Sequence, residues 1–296
     1  MTAQPACIDS AGLERLFSSV VLTCPHRSKR VECFSLSDKI LHFTIDNASP
    51  LQFSRIRAQE YSQIPVLRQI KRLTEIISQI GQIKLTAAGY LPMKIVQELY
   101  PLGAPDDMIE NGISKLGKEM DCIPVHLARI LAEATGIIKK RKGILTLTTI
   151  GSKVIADDSK LFKSIFEGFC QKFNWHYFDY YSDDPQFGTI GQLGFGFSLI
   201  LFSKYGNAER SDRYYADKYF KAFPALLENV QPTYGTVEEY CSNCYCLRTF
   251  ERFLYHFGLV EIKKGKRFNG EETYVKKTPL FDKLVSLIPH REFEMR

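Results

Sequence analysis

The most regular apolar pattern of the chain lies in IPVLRQIKRLTEIISQIG, residues 64–81. Apolar side chains recur there at intervals of three and four, which is the period of an amphipathic α-helix. They are Leu67, Ile70, Leu73, Ile76, Ile77 and Ile80. Gly81 follows this run directly, and a glycine in that place is typical of a helix C-terminus. The pattern therefore predicts a helix that buries one face and ends at Gly81.

Two more helical patterns follow, in residues 84–101 and 106–122. A short extended run, KLT, precedes the first, and acidic residues that suit a helix N-terminus begin the second. The apolar stripes are Leu91, Ile95, Val96 and Leu99 in the first helix and Ile109, Ile113, Leu116 and Met120 in the second. Both stripes are expected to face the protein interior.

A further helix is predicted in PVHLARILAEATG, residues 124–136, with proline in its first turn and glycine just past its end. Its buried stripe comprises Leu127, Ile130, Leu131 and Ala134. His126, Arg129 and Glu133 recur at spacings of three and four on the opposite face. This outward stripe is where a recognition helix would read a DNA groove.

A basic hairpin is predicted directly after this helix, in GIIKKRKGILTLTTIGSKVI, residues 136–155. Two extended runs flank the tip and are close enough in sequence to pair. The segment carries Lys139, Lys140, Arg141, Lys142 and Lys153 without an acid between 137 and 153, a local charge of +5. Such a cluster suits phosphate contacts and makes binding salt-sensitive. The alternative is that lysines at a hairpin tip serve solubility and protect a sheet edge.

The order helix, turn, helix and basic hairpin resembles the winged-helix superfamily, over roughly residues 64–156. The pattern L-T-x-x-G in LTLTTIG adds to the resemblance, although Leu-Thr before a helix is also ordinary N-cap chemistry. The resemblance implies that the hairpin is a wing. KLTAAGYLP and KTPLFDKL are also similar to stretches of uncharacterised bacterial proteins, some associated with mobile elements, and that likeness implies no activity.

The same layout returns later in the chain. Residues 128–155 and 249–285 each contain a helix that ends in glycine, a strand, a basic tip, a returning strand and a threonine that opens a helix. Thr236 and Glu239 form a capping box ahead of the second copy. The helix of that copy is expected to turn Leu247, Phe250, Leu254 and Phe257 inward and Arg248, Glu251, Arg252 and Tyr255 outward. Two winged-helix-like modules are therefore predicted.

The second hairpin is also basic. It carries Lys263, Lys264, Lys266, Arg267, Lys276 and Lys277 against Glu261, Glu271 and Glu272, a net charge of +3. Two basic tips in equivalent places favour a shared role in phosphate contact over solubility alone.

Phenylalanines at helical spacing mark the segment between the modules, namely Phe162, Phe166, Phe169 and Phe173. A buried helix stripe explains them, and the alternative is stacking on nucleic-acid bases. The predicted fold is mostly α with small β-hairpins, in the α+β class. Its predicted parts are an N-terminal segment with possible short strands (1–60), winged-helix-like module 1 (61–156), a helical aromatic-rich connector (157–232) and winged-helix-like module 2 (233–296).

The composition is that of a folded protein. The 296 residues are 45% hydrophobic and 24% charged, and 39 basic against 33 acidic residues leave a mild excess of +6, which fits a polyanionic partner or simple solubility. No run reaches about 18 apolar residues, and the first residues do not resemble a secretory signal, so a cytoplasmic protein without a membrane segment is expected. The eight cysteines are then expected to be reduced.

Motifs for catalysis are lacking. CSNCYC, residues 241–246, has the spacing of a zinc knuckle, but no second Cys or His pair lies nearby, so buried thiols are the better interpretation. Gly191, Gly194 and Gly196 lie in a stretch without the lysine of a phosphate-binding loop, so close packing or a turn is the better interpretation. No metal, cofactor or catalytic residue is therefore predicted.

These patterns favour a duplex-DNA-binding protein, as in a transcriptional or mobile-element regulator. The predicted contacts are Lys139, Lys140, Arg141, Lys142, Arg248, Arg252, Tyr255, Lys263, Lys264, Lys266 and Arg267. Glu133 and the acids of residues 106–121 would repel phosphates, so the second copy is expected to be the better groove reader. The alternative is a protein-interaction or scaffold module that packs against a partner or a second copy. An enzyme without a recognisable motif is a third possibility.

Overall fold

A computed structural model describes residues 51–181, 189–228, 230–267 and 270–287, apart from the side chains of residues 266, 267, 270 and 271. In chain order the helices and strands are β1 (Leu51–Phe53), α1 (Ala58–Tyr61), α2 (Pro65–Ile80), β2 (Ile83–Lys84), α3 (Met93–Leu99), α4 (Asp107–Glu110), α5 (Ile123–Ala134), β3 (Ile138–Arg141), β4 (Ile144–Leu147), α6 (Thr149–Val154), α7 (Asp158–Glu167), α8 (Phe195–Tyr205), β5 (Arg210–Ser211), α9 (Asp212–Ala222), α10 (Val237–Cys246), β6 (Val260–Arg267), β7 (Gly270–Lys277), α11 (Pro279–Leu284) and β8 (Val285–Leu287). The predicted α+β class, mostly helical with small antiparallel sheets, is confirmed.

Short helical turns of other types join these elements. They are the 3-10 turns Tyr100–Leu102, Glu119–Asp121, Trp175–Phe178 and Pro224–Leu227 and the π-helical segments Gly168–Lys172 and Leu247–Leu254. The second π segment continues directly from α10. Because a π-helix makes i→i+5 hydrogen bonds, its side chains do not follow the 3.6-residue period on which helix patterns are predicted.

The chain divides into two compact units. The N-terminal unit comprises Arg55–Phe178 and Arg252–Val260. The C-terminal unit comprises Asp179–Glu251 with the described residues 51–54 and 261–287. The four-part division made from the sequence differs from these units in its boundaries and stays a prediction.

Helix α2 is the central helix of the N-terminal unit. Pro65 begins it, Gly81 ends it with a φ of 79°, and its buried apolar residues are Val66, Leu67, Ile70, Leu73, Ile76 and Ile77. The predicted helix is thereby confirmed, although Ile80 at its end is 59% exposed. Helix α5 packs against α2 and leads into the strands that follow.

The three-stranded sheet of this unit has the order β2-β4-β3. Ile83 pairs with Leu145, and Leu145 pairs with Lys140, in antiparallel register. Ile83 and Leu145 are both buried and face the core, whereas Lys140 on the edge strand β3 is exposed. The predicted hairpin is confirmed, and the short extended KLT run contributes its third strand.

The predicted helix over residues 106–122 is wrong in its extent, because α4 ends at Glu110. Gly112, with a φ of 68°, allows the Ile113 N–H to bond the Met108 carbonyl while its own N–H bonds the Ile109 carbonyl. This pair of bonds is the Schellman termination of a helix. As a result Ile113 and Met120, expected inside, are 67% and 40% exposed.

Aromatic rings fill much of the N-terminal unit. The predicted buried stripe of phenylalanines is confirmed, since Phe162, Phe166, Phe169 and Phe173 all lie in the core. Phe169 stacks on Phe253 with 5.0 Å between the ring centroids, and the Phe169 carbonyl accepts a 3.0 Å hydrogen bond from Trp175 Nε1. Buried rings of this kind stabilise a core and leave no face for a base.

The C-terminal unit has an order of elements similar to that of the N-terminal unit, in which the short helix α4 is additional. Helix α8, strand β5, helices α9 and α10, and strands β6 and β7 follow one another, and the sheet order is β5-β7-β6. The rings of Phe202, Tyr215 and Phe250 pack at centroid distances of 5.4–5.6 Å in its core. The capping box predicted for Thr236 and Glu239 begins α10 and is confirmed.

A two-stranded sheet joins β1 to β8, with Leu51 opposite Leu287. Strand β1 lies in the segment 1–60, for which short strands were predicted, and residues 1–50 of that segment lie outside the described residues. Within the described part of the chain, no helix is long and apolar enough to cross a membrane.

Candidate nucleic-acid interface

The turn of the first hairpin consists of Lys142 and Gly143. Both have positive φ angles, of 50° and 73°. Two consecutive residues with positive φ form the type I′ turn, whose twist matches that of the flanking strands. Glycine adopts this conformation readily, whereas a lysine does so at a cost in backbone energy. The tip therefore keeps a cation at a position where the backbone would favour Asn, Asp or Gly.

Strand alternation sorts the basic side chains of this hairpin. Arg141 is paired with Ile144, and Ile144 with Lys84 of β2, so the three side chains share one face of the sheet. Lys139, two residues from Arg141, lies on the same face. The Lys139 and Arg141 Cα atoms are then about 7 Å apart, and Arg141 and Lys84 about 10 Å apart across β4. Three cations thus spread over one outer face.

The basic side chains of this hairpin, together with Lys84 of β2, extend into solvent. The cations Lys84, Lys139, Lys140, Arg141 and Lys142 are all exposed. Within the described residues, none of them forms an ion pair or a side-chain hydrogen bond. Because such a cation has no competing carboxylate, it can neutralise a DNA phosphate and release the counterion condensed there.

Thr148 and Gly151 hold helix α6 against the base of the hairpin. The Thr148 hydroxyl donates to the Gly136 carbonyl at 2.6 Å and accepts from the Gly151 N–H at 2.8 Å, which caps α6. A Cβ atom on Gly151 would lie 2.1 Å from the Ile137 carbonyl oxygen. The L-T-x-x-G pattern therefore has a structural cause: threonine caps the helix, and glycine lets it approach the first strand.

The second hairpin offers less free charge. Lys263 is exposed but forms an ion pair with Glu209. Lys277 is buried, where its Nζ lies 2.5 Å from Asp282 and 3.0 Å from the Ser203 carbonyl. Lys264 is exposed, while the side chains of Lys266 and Arg267 lie outside the described residues. The two hairpins, predicted to be equivalent, differ in how their cations are engaged.

The predicted outward placement of Arg248 is wrong. Its side chain has no exposed surface, its Nε lies 2.5 Å from Asp179 Oδ2, and its Nη1 donates to the Ile190 carbonyl at 3.1 Å. The physical reason is that Arg248 belongs to the π segment, which departs from the α-helical period used to assign its face. Arg252 and Tyr255, also expected outside, are half-buried.

The predicted outward stripe of α5 is also wrong, because His126 and Arg129 are buried. The carboxylate of Glu119, which is buried as well, lies 2.5 Å from both His126 Nδ1 and Arg129 Nε. It also accepts a 2.5 Å hydrogen bond from the Leu91 N–H. Arg129 makes a further ion pair with Glu133, which is half-buried. The face of α5 that would read a groove is therefore covered by the chain itself.

This cluster has charged partners that sequence reasoning missed. Burial alone would raise the pKa of Glu119, but hydrogen bonds from His126, the Leu91 N–H and Arg129 hold it below its usual value. The His126 Nε2 atom lies 3.1 Å from the Tyr177 hydroxyl. Glu119 and Tyr177 are separated from His126 by 7 and 51 residues. At such separations no local motif signals the contact.

The cysteines of CSNCYC are buried thiols on α10, as expected. Burial raises the pKa of Cys241 to about 11 and also raises that of Cys244. Thiols of this kind are poor nucleophiles at neutral pH. The described residues contain no group of three His, Cys, Asp or Glu side chains placed to hold a metal ion.

Gly194 owes its place to close packing. Its φ is 69°, and a Cβ there would lie 2.6 Å from the Phe223 ring. The glycines near this position were expected to serve packing or a turn, which fits Gly194.

Part of the N-terminal unit is similar to a known protein family. Residues 62–160 are similar to the family model described as the Y4jL N-terminal domain. The match covers less than half of the chain and falls within the N-terminal unit, from the start of α2 to the first turn of α7. No curated protein sequence and no solved structure matches the chain.

Proposed function

We propose that this chain is a DNA-binding protein that contacts duplex phosphates through the hairpin of its N-terminal unit. The observation that carries the proposal is a set of five exposed cations on one small sheet that form no ion pair with any described residue, namely Lys84, Lys139, Lys140, Arg141 and Lys142. Neutralising phosphates with such cations releases condensed counterions, which is the main driving force of non-specific DNA binding. A role as a bacterial regulator belongs to the same proposal.

The order of elements supports a winged-helix-like architecture for both units. The N-terminal unit runs α2, β2, α3, α4, α5, β3, β4 and the C-terminal unit runs α8, β5, α9, α10, β6, β7, and in each the first strand pairs with the last. In such a module the hairpin is the wing and the helix before it is the recognition helix. The proposal assigns the wing of the N-terminal unit to phosphate contact.

The covered face of α5 argues for phosphate contact over base reading. Arg129 is committed to Glu119 and Glu133, and Arg248 to Asp179, so neither guanidinium is free to form a bidentate pair with guanine. Binding driven by hairpin cations depends little on sequence and strongly on salt. We therefore expect similar affinities for unrelated duplexes.

Fluorescence anisotropy of a random-sequence duplex tests this proposal directly. The wild type is expected to bind at low salt, and changing Lys139, Lys140, Arg141 and Lys142 to Ala is expected to abolish binding. Lys263 and Lys264, changed to Ala on the other hairpin, provide a matched control that is expected to bind like the wild type. Absence of binding by the wild type at low salt would overturn the proposal, and so would equal losses in both variants.

A protein-interaction role is the second candidate, and an exposed apolar segment favours it. Met108 and Ile113 are 50% and 67% exposed, beside the acids Asp106, Asp107 and Glu110. Apolar side chains with a charged rim are common at protein interfaces. Sedimentation velocity of the wild type and an Ile113→Ser variant tests self-association through this segment. A monomeric wild type at high protein concentration would rule out a dimer formed there.

A further inference from the structure

Three side chains of the N-terminal unit form a chain of hydrogen bonds from the surface to the core. The Tyr177 hydroxyl lies 3.1 Å from His126 Nε2, and His126 Nδ1 lies 2.5 Å from Glu119 Oε1. Tyr177 is 50% exposed, whereas His126 and Glu119 are 1% and 0% exposed. An accessible hydroxyl, a histidine and a buried carboxylate in this sequence form the arrangement that activates a nucleophile in covalent catalysis.

The direction of each hydrogen bond follows from the charge on Glu119. Its carboxylate accepts from the Leu91 N–H and from Arg129, which favours the ionised form, and an ionised carboxylate has no proton to donate. His126 must then carry its proton on Nδ1. In the neutral imidazole protonated on Nδ1, Nε2 keeps a lone pair that accepts from the Tyr177 hydroxyl, 3.1 Å away. Histidine is thus set in the tautomer that a general base requires.

Packing around the imidazole holds this orientation. Phe178 and Tyr90 lie edge-on to the His126 ring at centroid distances of 5.6 and 6.0 Å. Arg129 Nη2, at 3.4 Å from Nδ1, is a weaker neighbour than the Glu119 oxygen at 2.5 Å. The ring is therefore fixed from several sides while the phenol beyond it remains partly open to solvent. An activated nucleophile typically has a base within hydrogen-bond reach and a third group that orients the base, and Glu119 is that third group here.

We propose that Tyr177 is a nucleophile toward phosphodiesters, with His126 as its general base and Glu119 as the positioning residue. The choice of a DNA phosphodiester as substrate rests on the proposed function, since the hairpin cations would hold the phosphate backbone against the same unit. His126 lies near the start of α5 and the hairpin follows its end. The 12 residues of α5 span about 18 Å, which brings both within reach of one duplex.

The step is a transesterification that needs no other reactant. The Tyr177 oxygen attacks phosphorus and forms a P–O bond while its proton passes to His126 Nε2. The bond between phosphorus and the deoxyribose oxygen breaks on the opposite side of the phosphorus, that oxygen takes a proton from solvent water as it leaves as a hydroxyl group, and His126 returns its proton to the solvent. One strand is then joined to Tyr177 through a phosphotyrosyl ester, and the reverse reaction reseals it.

A phosphoryl fluoride tests the nucleophile without DNA. Diisopropyl fluorophosphate is incubated with the full chain, and modified peptides are quantified by mass spectrometry. Tyr180, which is fully exposed, is the matched comparison within the same molecule. If exposure alone governed reactivity, Tyr180 would react faster. We expect Tyr177 to react about a hundredfold faster than Tyr180, as general-base assistance allows. Equal or faster modification of Tyr180 would overturn the proposal.

Chemical rescue separates a catalytic base from a structural histidine. In His126→Ala, modification of Tyr177 is expected to fall to the Tyr180 rate, and added imidazole is expected to restore it by occupying the space left by the ring. Glu119→Gln is expected to lower the Tyr177 rate while leaving the Tyr180 rate unchanged. A stable, folded His126→Ala variant that still labels Tyr177 at the wild-type rate would refute the role of His126.

A DNA assay tests the substrate. The full chain is incubated with an end-labelled duplex, and covalent complexes are sought on a denaturing gel. Wild type and Tyr180→Phe are expected to give a complex, and Tyr177→Phe is not. DNA binding by anisotropy without covalent complex or fluorophosphate labelling would refute this inference and leave the proposed function standing. Selective labelling of Tyr177 in a chain that does not bind DNA would support the activated phenol and refute the proposed function together with its DNA substrate.

Discussion

Arg248 and Asp179 form an ion pair in the C-terminal unit in which neither side chain has any exposed surface. The Arg248 guanidinium also donates a hydrogen bond to the Ile190 carbonyl, which partners a second of its N–H groups. Taking two charges out of water is costly, and removal of one partner leaves the other buried without compensation. This pair therefore ties the π segment after α10 to the residue that begins the C-terminal unit.

Loss of Arg248 is expected to destabilise the protein strongly. Arg248→Met should lower the free energy of unfolding by about 3–5 kcal/mol, because Asp179 would remain charged in the core. Urea unfolding followed by circular dichroism measures this change. Arg252→Met, at a half-buried arginine nearby in sequence, is the matched control, with an expected change below about 1 kcal/mol. A small effect at Arg248 would mean that its guanidinium is not committed to Asp179.

The salt dependence of DNA binding should distinguish the two hairpins. Each phosphate contact contributes about 0.9 to the slope of log K against log salt concentration. Lys139→Ala is therefore expected to reduce the slope by about 0.9. Lys263→Ala should leave it unchanged, because Lys263 is already paired with Glu209. Anisotropy titrations over a range of salt concentrations give both slopes, and equal changes would contradict the assignment of binding to one hairpin.

Lys142 is expected to favour binding at the expense of stability. Its positive φ is unfavourable for lysine and favourable for asparagine. Lys142→Asn should therefore raise the free energy of unfolding by about 1 kcal/mol while weakening DNA binding. Lys140→Asn, on strand β3, removes the same charge without relieving backbone strain and serves as the control. If both variants changed stability alike, the turn would not be the cause.

Acid should destabilise the N-terminal unit through His256. Burial, with a smaller contribution from Arg252, lowers its pKa to about 3. In the unfolded chain His256 binds a proton near pH 6.5, whereas in the folded chain it stays neutral at that pH. Its contribution to the free energy of unfolding is therefore fully present above pH 6.5 and declines below it. Between pH 7 and pH 5 the expected loss from this group is about 2 kcal/mol.

His256→Leu tests that assignment by removing the titrating group. The variant should lose less stability than the wild type over the same pH interval, as measured by urea unfolding at pH 7 and pH 5. Identical losses in the two proteins would show that other groups carry the acid sensitivity.

Much of the local structure could be predicted because it depends on neighbours in sequence. Gly81 ends α2, Thr236 and Glu239 cap α10, and the basic hairpin forms where two extended runs flank a short tip. The helix predicted across Gly112 is an exception. Its Schellman termination is also local, but the apolar spacing on either side of it suggested an uninterrupted helix.

The faces of the two candidate recognition helices could not be predicted from periodicity. His126 and Arg129 turn inward because a buried carboxylate, Glu119, is provided by a preceding 3-10 turn. Arg248 turns inward because its segment is π-helical and because Asp179, 69 residues away, supplies its partner. Both arrangements depend on tertiary contacts of polar groups, which an apolar pattern does not encode.

The packing of α6 against the base of the first hairpin bears on the entropy of binding. Thr148 and Gly151 fix α6 against the first strand, so the backbone beneath the cations is already ordered before DNA arrives. Ordering a flexible segment on binding would consume part of the free energy gained from counterion release. In this hairpin only the long side chains of lysine and arginine remain to be ordered. Under the proposed function, the free energy gained from counterion release is then reduced only by the cost of ordering these side chains, and we expect a surface of five cations to bind a duplex.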